Sequence, residues 1–347
     1  MPDPGPVPAR LKSVQIEPTT NCNLKCAGCN RTYRDGQGTL EVKTMSLETF
    51  RAVIANLPPG EICWLNGYGE PTLNAALPDF IPIAKEKFDR VYCISNALTR
   101  GPDFYRRMEA AGLDELHISV DSLDPEMAET VREGTDTEKL KRRLRDIRAA
   151  ISIDIIINVV VSAKNLYDVP DTVAQLDDIG GFRVGFADFG SFAEEGYDYS
   201  EWFLDWETKQ AFNRIIKPVI EKCTNVSYVN TRFKMRRRKR STARCDRPFL
   251  HPAVTVDGLL TPCCVELRDT AHYSETNVAM MTYEEAWSSA PVSQWVSDYI
   301  EAEPDICKEC CLNPWRNEKD YKPWWERLLG NADKAPQATP AEASDSG

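Results

Sequence analysis

A chain of 347 residues, 42% hydrophobic and 27% charged, can bury one large or two modest cores, which excludes a largely disordered or fibrous protein. Its formal charge of −11 argues against a general pull toward nucleic acid or anionic lipid. No apolar run has the length of a membrane-spanning helix, and "MPDPGPVPAR" has no apolar signal core, so a cytoplasmic protein without nucleic-acid or membrane partners is expected.

After a flexible tail over residues 1–10, β-rich runs alternate with helical patterns to about residue 195. "SVQIEPT" is the first strand candidate, "EICWLNGYG" follows the helical "LETFRAVIANL", and "RVYCISNA" follows "PDFIPIAKEKF". "ELHISVDS", "DIIINVVVSA" and "FRVGFADF" complete the series, with amphipathic stretches such as "EKLKRRLRDIRAAI" between them. This alternation predicts right-handed βα units around a parallel sheet. Six strands are too few to close an eight-stranded barrel, so the expected fold is α/β, a partial (β/α)6 barrel open on one side. Polar or glycine-rich residues follow nearly every strand, and ligands of parallel sheets collect at the carboxyl ends.

Residues 196–240 read as a connecting region, with aromatics in "YDYSEWFLDWE", a helix at "KQAFNRIIKPVIEK" and the basic run Lys234 to Arg244. Such a run is ordinarily a solvated face, although Arg236, Arg237 and Arg238 also suit an anionic substrate or an electron donor. A small Cys-rich domain is expected over 241–330, with a hairpin at "AVTVDGLLTPC", a helix at "TYEEAWSSAPVSQWVSDYI" and a last helix at "YKPWWERLL". Residues 331–347 have the composition of a disordered tail. His251 and His272 lie near this domain as possible ligands or acid–base groups, but lone histidines are more often ordinary polar residues.

Twelve cysteines without a disulfide-permissive context need another explanation. Cys63, Cys93 and Cys223 stand alone and read as buried apolar groups. Cys22, Cys26 and Cys29 form Cys-x3-Cys-x2-Cys directly after the first strand. A structural zinc ion takes four protein ligands, and no histidine lies near to supply the fourth. A [4Fe–4S] cubane has one thiolate per corner, so three cysteines leave one iron free to bind something else.

That spacing, with "GYGEP" after the second strand and "SVD" after the fourth, resembles the radical S-adenosylmethionine enzymes over residues 11–195. The resemblance implies a cluster on Cys22, Cys26 and Cys29 whose open iron is chelated by S-adenosylmethionine, and reductive cleavage to a 5′-deoxyadenosyl radical that takes a hydrogen atom from substrate. Carried over by position, it implies cofactor contacts at Gly69, Glu70, Ser95, Asn96, Ser119, Asp121 and Asn158, with Tyr68 where the family has a first glycine. Gly28 stands where the family often has an aromatic residue, so apolar cover for adenine must come from elsewhere.

Cys245-x12-Gly258-x4-Cys263 and Cys307-x2-Cys310 supply four more thiolates, a set that alone would also suit zinc. Beside the first motif it resembles a SPASM/Twitch domain holding one auxiliary [4Fe–4S] cluster, with spacing similar to that of 2-deoxy-scyllo-inosamine dehydrogenase. Cys264 and Cys311 are surplus: packed thiols, ligands in place of their neighbours, or hydrogen-atom donors as in radical epimerases. The resemblance supports the auxiliary cluster and does not carry over a substrate; the expectation is an oxidoreductase acting on a hydroxyl-bearing sugar or aminocyclitol-like intermediate in natural-product biosynthesis, with a flavodoxin or ferredoxin as electron donor. A peptide substrate, in a ribosomal-peptide maturase or epimerase, is the alternative. A non-catalytic iron–sulfur or zinc protein is the alternative of another class.

Overall fold

The computed structural model describes residues 7–190, 199–233, 245–264 and 275–301. The described residues form eleven strands: β1 Leu11–Ile16, β2 Lys25–Cys26, β3 Gly60–Leu65, β4 Phe88–Ser95, β5 Glu115–Ser119, β6 Arg132–Glu133, β7 Asp154–Val161, β8 Phe182–Asp188, β9 Val226–Tyr228, β10 Ala253–Val254 and β11 Leu260–Thr261. Nine of them form one sheet in the order β11-β10-β1-β3-β4-β5-β7-β8-β9, parallel throughout except for the β10–β11 pair. The expected six-strand series is its centre, and the sheet remains open between β11 and β9.

Alternation along the strands divides the two faces. Val14 pairs with Cys63, Ile16 with Leu65 and Cys93 with Leu116, and all six are fully buried against the helices. The opposite face carries Gln15, Trp64, Tyr92 and His117, whose rings meet edge to face, Trp64 to Tyr92 at 4.9 Å and Trp64 to His117 at 5.0 Å. Short polar side chains start the covering helices where the sequence turns amphipathic. Ser46 accepts the Thr49 N–H to begin Leu47–Asn56, and Asp136 accepts the Lys139 N–H to begin Thr137–Ala150. The second helix buries Leu140, Leu144 and Ile147, one stripe at helical spacing.

Three features depart from the sequence reading. The segment 196–240 contributes β9, which extends the sheet beyond β8, as well as the helix Trp206–Lys222. Cys223, at the end of that helix, is half-buried rather than in the core. The helix expected at "TYEEAWSSAPVSQWVSDYI" is two, Tyr283–Ser288 and Ala290–Glu301, because Ser289 is extended and Pro291 suits a first turn rather than a helix interior. The hairpin forms as expected, turning at Gly258 with φ +89°, and its β10 arm adds parallel to β1, so the C-terminal segment becomes part of the barrel sheet. Among the described residues no helix is long and apolar enough to cross a membrane.

Candidate functional site

The loop after β1 brings the first cysteines to the carboxyl rim. Its strand β2 pairs antiparallel with β6, setting Cys26 opposite Arg132, and Gly28 at φ +70° turns the chain so that Cys29 starts the short helix Asn30–Gly36. Cys22, Cys26 and Cys29 are free thiols, each half-buried. Burial raises Cys22, and lifts Cys26 to about 11 although the Arg132 charge opposes it. Thiols held protonated in this way exchange protons for a metal that ligates them.

Three observations test whether the loop fits an iron–sulfur cluster with an organic ligand. Among the described residues no three Cys, His, Asp or Glu side chains converge on a point as one metal ion requires. A cubane makes no such demand, since each thiolate meets its own iron. Thr32 Oγ1 and the Asn30 amide are buried at the cysteine loop beside the buried Tyr68 hydroxyl of the GYGE loop, with which Asn30 interacts, a polar set with hydrogen-bonding capacity to spare. A cavity also opens beside the thiols, lined by Cys26, Gly28, Cys29, Asp121, Arg132, Val160, Ser162, Phe189 and Trp202. The residues fit.

The GYGE loop is clamped onto the cysteine loop. A Cβ at Gly69 would lie 2.1 Å from Thr19 O and 2.6 Å from Asn21 O, so only glycine fits, and Glu70 N–H donates to Asn21 O at 2.7 Å. Glu70, 3% exposed, accepts from the Thr72 N–H, the Thr72 hydroxyl and Ser95 Oγ (2.7 Å) at Oε1, and from the Asn96 N–H (2.7 Å) at Oε2. One acceptor position remains on Oε2 for an incoming donor. Ser95 and Asn96 are thus committed within the protein. Ser95 orients Glu70, and Asn96 Nδ2 donates to Asn23 Oδ1 at 2.8 Å, tying β4 to the cysteine loop.

Asp121 accepts the Val160 N–H at 2.8 Å and Arg132 Nη1 at 3.0 Å, a largely buried pair whose arginine stands opposite Cys26. The signal for Arg132 in the sequence was a single arginine in "ETVREG", invisible until β6 docks on the cysteine strand. Ser119 sits one pleat below Asp121 and pairs in register with Asn158. The Asn158 amide meets His117 Nδ1 at 3.2 Å, while His117 Nε2 holds Glu115 at 2.7 Å, so Asn158 is turned into the barrel interior.

The missing aromatic at position 28 is replaced through space. Phe189, just beyond β8, packs its ring 2.5 Å from where a Gly28 Cβ would stand and stacks on Trp202 with centroids 5.4 Å apart. Neither residue was selected from the sequence, because each lies more than 150 positions from Gly28.

In the C-terminal segment Cys245 and Cys263 are buried at the two ends of the hairpin region, and the Tyr299 hydroxyl donates to Cys245 O at 2.7 Å. Cys264 is half-buried and close enough to Tyr68 to act on its hydroxyl electrostatically. Burial, aided by the Arg247 charge, lowers His251 to about 4, and its Nδ1 hydrogen-bonds Ser13 Oγ at 2.7 Å, so it fastens this segment to β1 as a neutral group. Cys307, Cys310, Cys311, His272, the run Lys234 to Arg244 and "YKPWWERLL" lie outside the described residues.

Residues 16–175 match the radical SAM superfamily and residues 245–311 the iron–sulfur cluster-binding SPASM domain. A probable GTP 3′,8-cyclase of Methanocaldococcus jannaschii is 24% identical over 75% of this chain and 86% of its own. Similarly named proteins of Methanococcus maripaludis match over 44% of their length. The PqqA peptide cyclase of Granulibacter bethesdensis is 22% identical over 85% of this chain and 78% of its own. Streptococcus suis SuiB bound to its precursor peptide SuiA shares the fold, with TM-score 0.62 and 13% identity over 90% of this chain and 76% of that one. The cofactors of this architecture are a [4Fe–4S] cluster with S-adenosylmethionine and further iron–sulfur in the C-terminal domain.

Proposed function

From a chain that carries a radical SAM domain followed by an iron–sulfur cluster-binding domain, we propose an enzyme that cleaves S-adenosylmethionine at Cys22, Cys26 and Cys29 and oxidises a substrate held in the barrel. The carrying observation is the cavity at the carboxyl rim, where Cys26 and Cys29 share walls with Asp121, Arg132, Phe189 and Trp202. When bound there, the reduced cluster supplies the electron that splits the sulfonium and frees the radical that removes a substrate hydrogen atom. Arg132 offers its guanidinium to the methionine carboxylate beside Cys26, oriented by Asp121. Glu70 Oε2 accepts from the methionine ammonium, and Phe189 with Trp202 covers the adenine and excludes water. Gly69 keeps the backbone low enough for that approach.

Cys245, Cys263, Cys307 and Cys310 would hold one auxiliary cluster, which would supply an acceptor for the second substrate electron, with a flavodoxin or ferredoxin as the donor to the first. The likeness to a peptide cyclase, extending through 85% of this chain, favours a peptide substrate. A hydroxyl-bearing aminocyclitol-like intermediate is the second reading of the substrate.

Anaerobically reconstituted protein, reduced and given S-adenosylmethionine, is expected to release 5′-deoxyadenosine, and the Cys22→Ala/Cys26→Ala/Cys29→Ala variant none. Stimulation by peptides but not by aminocyclitols selects the first substrate class, and the converse the second. Equal, negligible release from both proteins with an intact cluster in the wild type overturns the enzyme reading.

A further inference from the structure

Glu17 is the residue that follows β1, and it is 4% exposed. Its Oε1 accepts the Tyr68 N–H at 2.8 Å, gripping the loop that presents Gly69 and Glu70. Its own N–H donates to Val254 O at 2.9 Å, and the Val256 N–H also reaches its carboxylate. Val254 and Val256 belong to the hairpin that runs between Cys245 and Cys263. The fit is tight, since a Cβ at Gly67 would lie 2.4 Å from Glu17 Cγ. The charges that act on Glu17, from Arg34 and Asp257, do so through space rather than by contact.

Burying a carboxylate on two backbone N–H groups without a salt-bridge partner costs desolvation that a purely apolar contact would avoid. What the fold obtains is one rigid side chain joining three segments distant in sequence. We propose that Glu17 is a positioning residue that couples the C-terminal cysteine domain to the cofactor loop, so that ligation of Cys245 and Cys263 orders the hairpin and, through Glu17, tightens binding of S-adenosylmethionine at the first cysteine site. The inference rests on the cofactor reading of that site and adds a link between two sites that have separate ligands. Such a link is a coupling free energy, and removing either end must cost the same interaction.

Equilibrium dialysis of S-adenosylmethionine against the reconstituted full-length protein tests it. The four proteins are the wild type, Cys245→Ser/Cys263→Ser, Glu17→Gln and the triple variant. The double variant and Glu17→Gln are each expected to bind about tenfold more weakly, and the triple variant no more weakly than either, because all three break one link. Additive losses in the triple variant, or wild-type affinity in the double variant, overturn the proposal. Glu17→Asp keeps the charge but shortens the reach by one methylene. It is expected to behave as Glu17→Gln, so misfolding of the amide variant does not decide the matter, and wild-type affinity in it also overturns the coupling. Wild-type protein that binds no S-adenosylmethionine sinks the reading of the site and the coupling with it, whereas tight binding with additive losses sinks the coupling alone.

Discussion

The two ends of the barrel hold acids in opposite ways. At the amino ends of the strands, Asp89, Glu61 and Asp154 pair with Arg10, Lys12 and Arg183 in ion pairs open to solvent. At the carboxyl rim, Glu17, Glu70 and Asp121 are nearly inaccessible and are held largely by backbone N–H and hydroxyl donors, with Arg132 the one cation in contact among the described residues. Solvent-exposed pairs return little because water screens both partners, while a buried acid whose donors are fixed is costly to disturb from either side. The amino end therefore tolerates change, and the rim carries the geometry on which binding depends.

The largest expected effect lies at Glu70. Glu70→Ala removes four accepted hydrogen bonds at once, leaves the Asn96 N–H buried without an acceptor and leaves Ser95 Oγ with only the Tyr105 hydroxyl to donate to among the described residues. A destabilisation of about 3–5 kcal/mol is expected in urea unfolding, with loss of S-adenosylmethionine binding in dialysis. Next is the buried pair. Arg132→Ala leaves Asp121 with only the Val160 N–H and is expected to cost about 3 kcal/mol, while the conservative Arg132→Lys restores charge but not the guanidinium geometry. A binding defect that persists in Arg132→Lys after stability recovers sharpens the carboxylate role, and full recovery of both breaks it.

Glu17 gives a pH signature. Burial raises its carboxyl from the ordinary 4.5 to about 7, so between these values the folded chain keeps a proton that the unfolded chain has released. Stability attributable to Glu17 is thus fully present below about 4.5 and declines as pH rises toward 7, by roughly 1–3 kcal/mol. Unfolding titrations at several pH values are expected to show that decline in the wild type and to lose it in Glu17→Gln. An identical pH slope in both would remove Glu17 from the account. The smallest effect belongs to the other end of the barrel, where Lys12→Ala, which breaks the exposed pair with Glu61, is expected to shift stability by no more than about 0.5 kcal/mol. A loss several times larger would dissolve the contrast between the two ends.

Much of the site was legible because its signals are local. The Cys22, Cys26 and Cys29 spacing states how many thiolates one loop presents, and the strand-end polar residues mark the rim, as Asp121 and Glu70 illustrate. Arg132, Phe189 and Trp202 were not legible, since each reaches the cysteines only after β6 docks on β2 or the chain past β8 folds over Gly28. Ser95 and Asn96, marked as cofactor contacts, are taken up inside the protein in holding Glu70 and Asn23, a use that depends on which neighbour β4 finds.

The sequence by itself determined the alternating parallel fold, through the periodicity of its apolar residues, and the number of thiolates available on the first loop, through their spacing. Only the tertiary structure decided which groups neutralise, cover and connect that loop: Arg132 opposite Cys26, Phe189 over Gly28, and Glu17 between Tyr68 and Val256. The physical reason is that periodicity and spacing are properties of neighbouring residues, whereas desolvation, ion pairing and stacking act between groups that only the packed sheet brings within a few ångströms of one another.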